Sequence, residues 1–161
     1  MIFERVVGDL LNSEYLKKLE GYPSHEFSLG KKSGRRDHCL RVGYLSFLLC
    51  KLLGGDLKVC ARAGILHDVG YDCQKVHKPL QQIFVHARKG VVIVQKMGED
   101  SRVVEAIRTH MFPIGGIPRT RESFIVWFAD KLDGLFEIFK LSKLVEKPIK
   151  KLFGNKESRT C

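Results

Sequence analysis

The sequence predicts an all-α protein, and three observations support this. Apolar residues recur every three or four positions along most of the 161-residue chain, which is the period of an amphipathic helix. No segment alternates apolar and polar residues over the length of a strand. Glycine, proline and helix-capping residues divide the pattern into about six or more segments of helical length. We therefore expect a single helical bundle.

The first three predicted helices occupy the N-terminal half of the chain. Residues 2–20 form one amphipathic helix, and a polar loop over residues 21–34 follows it. The second helix starts near Arg35 and ends at Leu53, before two glycines. Its predicted inward stripe consists of His38, Val42, Leu45, Leu49 and Leu52. Asp56 is the expected N-cap of the third helix, which ends near Gly70.

The C-terminal half continues the helical pattern. The fourth helix covers about residues 80–97, and Asp100 or Ser101 caps the fifth. The segment from Met111 to Arg119 contains two prolines and two glycines, which excludes a regular helix. Thr120 is the expected cap of the sixth helix, whose aromatic residues we assign to the core: Phe124, Trp127 and Phe128. The last segment is expected to break at Pro148.

The length fits one domain over residues 1–161. Its core covers about residues 35–140, with the helix at 2–20 before it and a basic helix and tail at 140–161 after it. No apolar run reaches the ~18 residues of a membrane span, and the N-terminus lacks signal-peptide features. The five cysteines form no CxxC pair, which favours free thiols. We therefore expect a cytoplasmic protein with no membrane partner.

Four histidines and two aspartates give the strongest functional signal. Each lies on or beside an apolar stripe, where a polar side chain is costly to bury without a partner. Imidazoles and carboxylates turned inward together are the donors that a metal centre needs. A single histidine of this kind is more often a hydrogen-bonded core residue, but six such positions favour metal binding. They are His38, His67, Asp68, His86, His110 and Asp130.

The ordered pattern of these residues resembles the HD superfamily of metal-dependent phosphohydrolases. The doublet His67-Asp68 is its centre, and the arrangement is similar to members that hold two metal ions. The segment from His86 to Gly90 resembles the His-x-x-x-Gly element of the HD-GYP branch. The segments that begin at His110 and at Ala129 resemble small bacterial HD-domain proteins of undefined substrate.

The resemblance implies a role for each residue of the pattern. The first metal would be held by His38, His67, Asp68 and Asp130. Asp68 would bridge to a second metal, held by His86 and His110, and would orient the nucleophilic hydroxide shared by the two ions. The cofactors would be two divalent ions, with iron or manganese favoured by the mixed His/Asp ligands. A packed core around a single metal remains the alternative for His86 and His110.

Two departures from the family limit the resemblance. Met111 stands where HD-GYP proteins have a second histidine, and no Gly-Tyr-Pro element follows His110; the Gly-Tyr-Pro at residues 21–23 precedes the whole pattern. Hydrolysis of cyclic-di-GMP is therefore not supported. Many HD enzymes carry a lysine three residues after the aspartate of the doublet, and Tyr71 occupies that place. The general acid therefore stays unassigned. Asp72 and Asp133 are candidates for orienting the ligating histidines, or are surface carboxylates.

The substrate predicted from these features is a small phosphate ester, which the net charge of +10 also suits. Arg35 lies one helical turn before His38, near the expected mouth of the site, where it could hold a phosphate or remain a solvated residue. Weaker candidates for substrate contacts are Lys75, Arg88 and Lys131.

Three other functions remain open at this stage. One is a one-metal phosphomonoesterase such as a nucleotidase. Another is a non-catalytic HD protein that senses a nucleotide or a metal, which the missing lysine favours. A nucleic-acid-binding module rests on charge alone, because no aromatic residues are interleaved with the basic ones. We therefore do not expect a nucleic-acid partner.

Overall fold

The computed structural model describes residues 2–24, 34–72 and 79–153. These residues form eight α-helices and one 3-10 turn, with no strand among them. The helices are α1 (Ile2–Leu11), α2 (Glu14–Lys17), α3 (Arg35–Leu53), α4 (Leu57–Leu66), α5 (Pro79–Lys96), α6 (Ser101–Thr109), α7 (Arg121–Ile138) and α8 (Lys143–Phe153). The all-α prediction is confirmed.

Several helices begin at the predicted capping residues. The Asp56 carboxylate accepts hydrogen bonds from the backbone N–H groups of Lys58 and Val59 at the start of α4. Asp100 caps α6, and Thr120 forms a reciprocal capping box with Ser123 at the start of α7. Side-chain oxygens at these positions satisfy backbone donors that have no partner within the helix.

The α4 helix lies at the centre of the bundle. It packs against α1, α3, α6 and α7, and most of its residues are buried, including Cys60, Ala61 and Ala63. Its approach to α3 is close because Gly64 has no side chain: an added Cβ there would lie 2.8 Å from the Cα of Gly43. This close crossing brings the end of α4, and with it the His67-Asp68 doublet, against α3.

Three predictions about individual elements are wrong. The first predicted helix is broken, because Ser13 ends α1 and caps α2 by accepting from the Leu16 N–H at 3.3 Å. Leu52 is 80% exposed, since it lies beyond the part of α3 that other helices cover. The α8 helix continues through Pro148. It does so because Val145 and Ile149 are buried in a cluster with Val42 and Leu45 of α3.

The aromatic residues of α7 are also placed differently from the prediction. Phe124 and Phe128 were assigned to the core, yet they are 46% and 41% exposed. The buried face of α7 instead carries small, aliphatic and acidic residues: Ser123, Ile125, Val126, Ala129, Asp130, Asp133 and Glu137. No helix in the described ranges is long and apolar enough to cross a membrane.

Candidate metal centre

The six predicted residues come from five separate elements and meet in the interior. His38 lies on α3, His86 on α5 and Asp130 on α7. His67 and His110 are the C-cap residues of α4 and α6, and Asp68 follows His67 in the turn after α4. All six side chains are buried, with exposures of 6% or less. The structure therefore brings together every residue that we predicted as a metal ligand.

Donor atoms of these residues form two groups that share Asp68. The first group contains His38, His67 and Asp68, and the second contains Asp68, His86 and His110; within each group the donor atoms lie within 4.8 Å of one another. Asp130 adjoins the first group, since its Oδ1 lies 3.2 Å from His38 Nε2. The Oδ1 of Asp68 lies 3.3 Å from His86 Nε2, and its Oδ2 lies 3.7 Å from His67 Nε2.

The distances between donor atoms fit ligands that share one ion. The two Nε2 atoms of His38 and His67 are 3.2 Å apart, and those of His86 and His110 are 3.0 Å apart. Ligands held about 2.1 Å from one ion, at angles between octahedral and tetrahedral, lie about 3.0–3.4 Å from each other. The donor set, imidazole nitrogen and carboxylate oxygen, is one that divalent transition metals accept. The residues present therefore fit a divalent ion in each group.

Three of the histidines are held with Nε2 facing the centre. The Nδ1–H of His67 donates to the Gly64 carbonyl at 2.8 Å, and that of His110 donates to the Ile107 carbonyl at 2.7 Å. His38 differs, because its Nδ1–H donates to the Asp133 carboxylate at 2.8 Å. A carbonyl or carboxylate behind Nδ1 fixes the tautomer whose Nε2 lone pair is available to a metal.

The electrostatic environment shifts the pKa values of the two histidines of the first group in opposite directions. Burial opposes protonation of His38, but hydrogen bonds to Asp130 and Asp133 outweigh it and raise its pKa to about 9. Burial lowers the pKa of His67 to about 4, although the nearby carboxylates act in the other direction. Burial would raise the pKa of Asp68, but the facing His67 and Arg35 hold it well below its usual range. The Asp68 carboxylate is therefore ionised at neutral pH.

Behind His38 lies a buried charged network that the sequence analysis missed. Arg41 is 1% exposed and donates twice to Asp133, from Nε at 2.8 Å and from Nη2 at 2.9 Å. Its Nη2 also donates to Glu137 Oε1 at 2.5 Å, and the Ser24 hydroxyl donates to Glu137 Oε2 at 2.8 Å. Of the two alternatives for Asp133, the structure shows the group that orients a histidine.

Helical spacing could have revealed this network. Arg41 follows His38 by one turn of α3, and Asp133 and Glu137 follow Asp130 by one and two turns of α7. Charged residues therefore continue the buried stripes that carry the two ligands. Charged side chains at helical spacing face solvent in most proteins, so the spacing alone does not single out this network.

The predicted substrate contacts are placed less uniformly. The prediction that Arg35 lies at the mouth of the site is wrong, because the residue is only 2% exposed. Its guanidinium forms an ion pair with Asp68 Oδ2 and lies 3.5 Å from the centroid of the Tyr71 ring. Its Nε donates to the Pro23 carbonyl at 3.1 Å. Lys131 is 45% exposed and contacts Asp130 at 2.6 Å. Arg88 is exposed on α5, and Lys75 lies outside the described residues.

Comparison with known proteins gives a consistent family assignment. The HD domain model matches residues 35–135. Ribonuclease Y of Helicobacter pylori strain J99 is 37% identical over 97 residues, which cover 59% of this chain and 17% of the relative. Ribonuclease Y of Cutibacterium acnes is 33% identical over 96 residues, covering 60% of this chain and 17% of the relative.

A third relative extends the match only slightly. Ribonuclease Y 1 of Pediococcus pentosaceus is 33% identical over 111 residues, which cover 66% of this chain and 20% of the relative. The chain thus matches no more than about a fifth of the length of these curated relatives. No solved structure matches the chain. The HD domain model matches residues 35–135, and the buried cluster of histidines and aspartates is centred on His67 and Asp68. The chain therefore belongs to the HD domain family.

Proposed function

We propose that this protein is a metal-dependent phosphohydrolase with a two-metal centre. His38, His67, Asp68 and Asp130 hold the first ion, and Asp68, His86 and His110 hold the second. The observation that carries the proposal is the position of Asp68, whose two oxygens face different histidine groups. A carboxylate can bridge two cations in this way, whereas a neutral imidazole cannot. Iron and manganese suit the mixed nitrogen and oxygen donors.

The residues of the chain prepare the site for phosphate chemistry. Divalent ions held there would supply a hydroxide nucleophile at neutral pH and offset the charge that develops on the phosphate. The backbone carbonyls behind His67 and His110, and the carboxylate behind His38, orient the three rings. Burial of all six ligands excludes bulk water and strengthens every electrostatic contact within the site.

Arg35 supplies the positive charge that the missing lysine would have provided. Its guanidinium lies over the ring of Tyr71, the residue that replaces the lysine, and contacts the bridging carboxylate. A planar guanidinium suits phosphate oxygens because it can donate two parallel hydrogen bonds. Lys131, beside Asp130, is a second cation at the more exposed edge of the centre. These two cations support turnover over a sensor function, because they stand where the missing lysine would act.

The substrate class is a phosphate ester, and a nucleotide is the favoured form. A second candidate is the phosphodiester backbone of RNA, because the relatives with matching HD segments are named ribonuclease Y. The sequence predicts no nucleic-acid partner, because no aromatic residues are interleaved with the basic ones. That argument concerns a binding surface and does not exclude RNA as a substrate of the metal centre. A cytoplasmic location remains our proposal. The buried cysteines Cys39, Cys50 and Cys60 are free, which is usual for cytoplasmic proteins.

One paired experiment tests the proposal. Protein purified without added metal is analysed for its elements, and the same preparation is assayed on a phosphomonoester, a phosphodiester and a short RNA. Two ions per chain together with turnover of any substrate support the proposal. One ion per chain with monoester turnover favours the one-metal phosphomonoesterase. Two ions with no turnover of any of the three favour the nucleotide or metal sensor.

A further inference from the structure

An aromatic surface lies beside the metal centre and is not used in the proposed mechanism. We call it the aromatic platform, and it consists of Phe112, Phe124, Trp127 and Phe128. Three of these side chains are half exposed: Phe112 at 39%, Phe124 at 46% and Phe128 at 41%. The rings lie close to one another. The ring centroids of Phe124 and Phe128 are 6.3 Å apart and the ring planes are nearly parallel, whereas Phe112 is edge-on to Trp127 with the centroids 6.0 Å apart.

The platform is built on the same elements that carry metal ligands. Phe112 follows His110 by two residues, and Trp127 precedes Asp130 by three residues on α7, which is about 4.5 Å along the helix axis. The contact between Phe112 and Trp127 joins the two elements into one surface. Lys131 adjoins both, because it lies one helical turn after Trp127 and Phe128 on α7 and contacts Asp130 at 2.6 Å.

The exposure of these rings needs an explanation. Phe and Trp side chains gain most of their stabilisation from burial, and contiguous exposed apolar surface commonly marks a binding site. Stacked and edge-on rings present flat faces of the kind on which nucleobases stack. The adjoining cation and the chain's net charge of +10 favour an anionic ligand over an apolar one. A nucleotide fits this combination, because its flat base can stack on the aromatic faces while its phosphate reaches the proposed metal centre.

We propose that the aromatic platform binds the nucleobase adjacent to the reacting phosphate, so that the substrate is a nucleotide or single-stranded RNA. This inference rests on the proposed function, since it assigns the phosphate to the metal centre. A base and its phosphate are separated by one ribose, so both ends of a nucleotide would be held at once. Stacking tolerates any base because every base has an aromatic face. The platform therefore selects nucleotides over other phosphate esters without selecting a sequence.

The test compares ligands with and without a base on the metal-loaded protein. Dissociation constants for adenosine 5′-monophosphate, ribose 5-phosphate and adenosine are measured by calorimetry. Trp127 is the only tryptophan in the chain, so its fluorescence reports stacking independently. The variant is Phe124→Ala, with Phe112→Ala as a second. Leu52→Ala is the matched control, because Leu52 is an exposed apolar residue of α3 and is not part of the aromatic platform.

We expect the wild type to bind the adenosine monophosphate roughly 5- to 150-fold more tightly than ribose 5-phosphate, as one stacked base allows. Phe124→Ala should bring the dissociation constants for the two phosphates to within about 3-fold of each other, because one stacking contact is lost. The affinity for ribose 5-phosphate should not change. Leu52→Ala should bind like the wild type. Trp127 fluorescence should change with both base-containing ligands and not with ribose 5-phosphate.

Four outcomes would count against the inference or separate it from the proposed function. Equal affinity of the wild type for the two phosphates overturns the platform and leaves the phosphate centre intact. If only adenosine binds, and does so through Phe124, the platform stands and the phosphohydrolase function fails; if none of the three binds, both fail. Should Phe124→Ala dissociate an oligomer without altering discrimination between the phosphates, the surface serves self-association and the inference is wrong.

Discussion

Asp133→Asn should weaken metal binding at the ligand His38 while the fold persists. Asp133 accepts three hydrogen bonds, one from His38 Nδ1 and two from Arg41, at 2.8–2.9 Å. Asparagine has only one acceptor oxygen, so either orientation of its amide turns an NH₂ group towards a donor. Loss of the carboxylate behind a ligating histidine typically costs 10- to 100-fold in metal affinity. We expect a loss of about that size in the first ion's affinity.

The neighbouring Glu137 offers a matched control. It accepts a hydrogen bond from the same Arg41 at 2.5 Å and lies one turn beyond Asp133 on α7. Removing either partner of the buried arginine should lower the free energy of unfolding, by up to about 3–5 kcal/mol. Only Asp133→Asn should also lower metal affinity, measured by competition with a chelating indicator beside thermal unfolding curves. Equal losses of metal affinity in Asp133→Asn and Glu137→Gln would refute the orienting role of Asp133.

Other substitutions test the remaining assignments. Asp68→Ala should remove metal from the first site and disrupt the second, since this carboxylate faces both groups; full metal content by elemental analysis would contradict its bridging role. His86→Ala and His110→Ala should lower the metal content from two ions per chain towards one, and an unchanged count in both would favour the one-metal alternative. Arg35→Ala should lower kcat/KM on any accepted phosphate ester roughly tenfold to a hundredfold, because one charge-assisted hydrogen bond is worth ~1.5–3 kcal/mol; wild-type hydrolysis would move the phosphate contact elsewhere. Gly70→Ala should destabilise the fold by about 3 kcal/mol, because an added Cβ would overlap the His86 carbonyl oxygen.

The Gly70 substitution has a matched control in α1. Gly8 is a helical glycine with no other atom within 4 Å of an added Cβ, so Gly8→Ala should leave stability unchanged or raise it by up to ~1 kcal/mol. For a chain of this size, the loss at Gly70 corresponds to a midpoint lowered by roughly 10 °C. A melting temperature equal to that of the wild type would show that the turn after α4 adjusts without cost.

Most of the helices, and the meeting of six His and Asp side chains in the interior, could be predicted from the sequence. Capping residues such as Asp56 and Thr120 act locally, through hydrogen bonds to the next turn, so the sequence alone contains the relevant information. The clustering of these six residues could be predicted because a histidine or aspartate on an apolar stripe needs a buried partner. Their order along the chain supplied the rest through the resemblance to the HD superfamily.

Features that depend on tertiary neighbours could not be predicted in the same way. Leu52 continues the inward stripe of α3, but its side chain is 80% exposed, so no helix in the described part of the chain covers it. Phe124 and Phe128 are apolar, and nothing in the sequence distinguishes a core aromatic from an exposed one on a helix with apolar residues on several faces. Pro148 loses one backbone hydrogen bond, yet burial of Val145 and Ile149 on either side keeps α8 continuous.

The charges buried around the centre connect its structure to its substrate. Among the described residues, the buried carboxylates are Asp68, Asp130, Asp133 and Glu137, and the buried guanidiniums are Arg35 and Arg41. With His38 neutral, as metal binding requires, four negative and two positive groups leave a net charge of −2, which is costly in a low-dielectric interior. Two divalent cations would reverse that charge to +2. The same cations that relieve the repulsion among the carboxylates would then leave the site matched to a doubly charged phosphate group, which is why we favour a phosphate ester over an uncharged substrate.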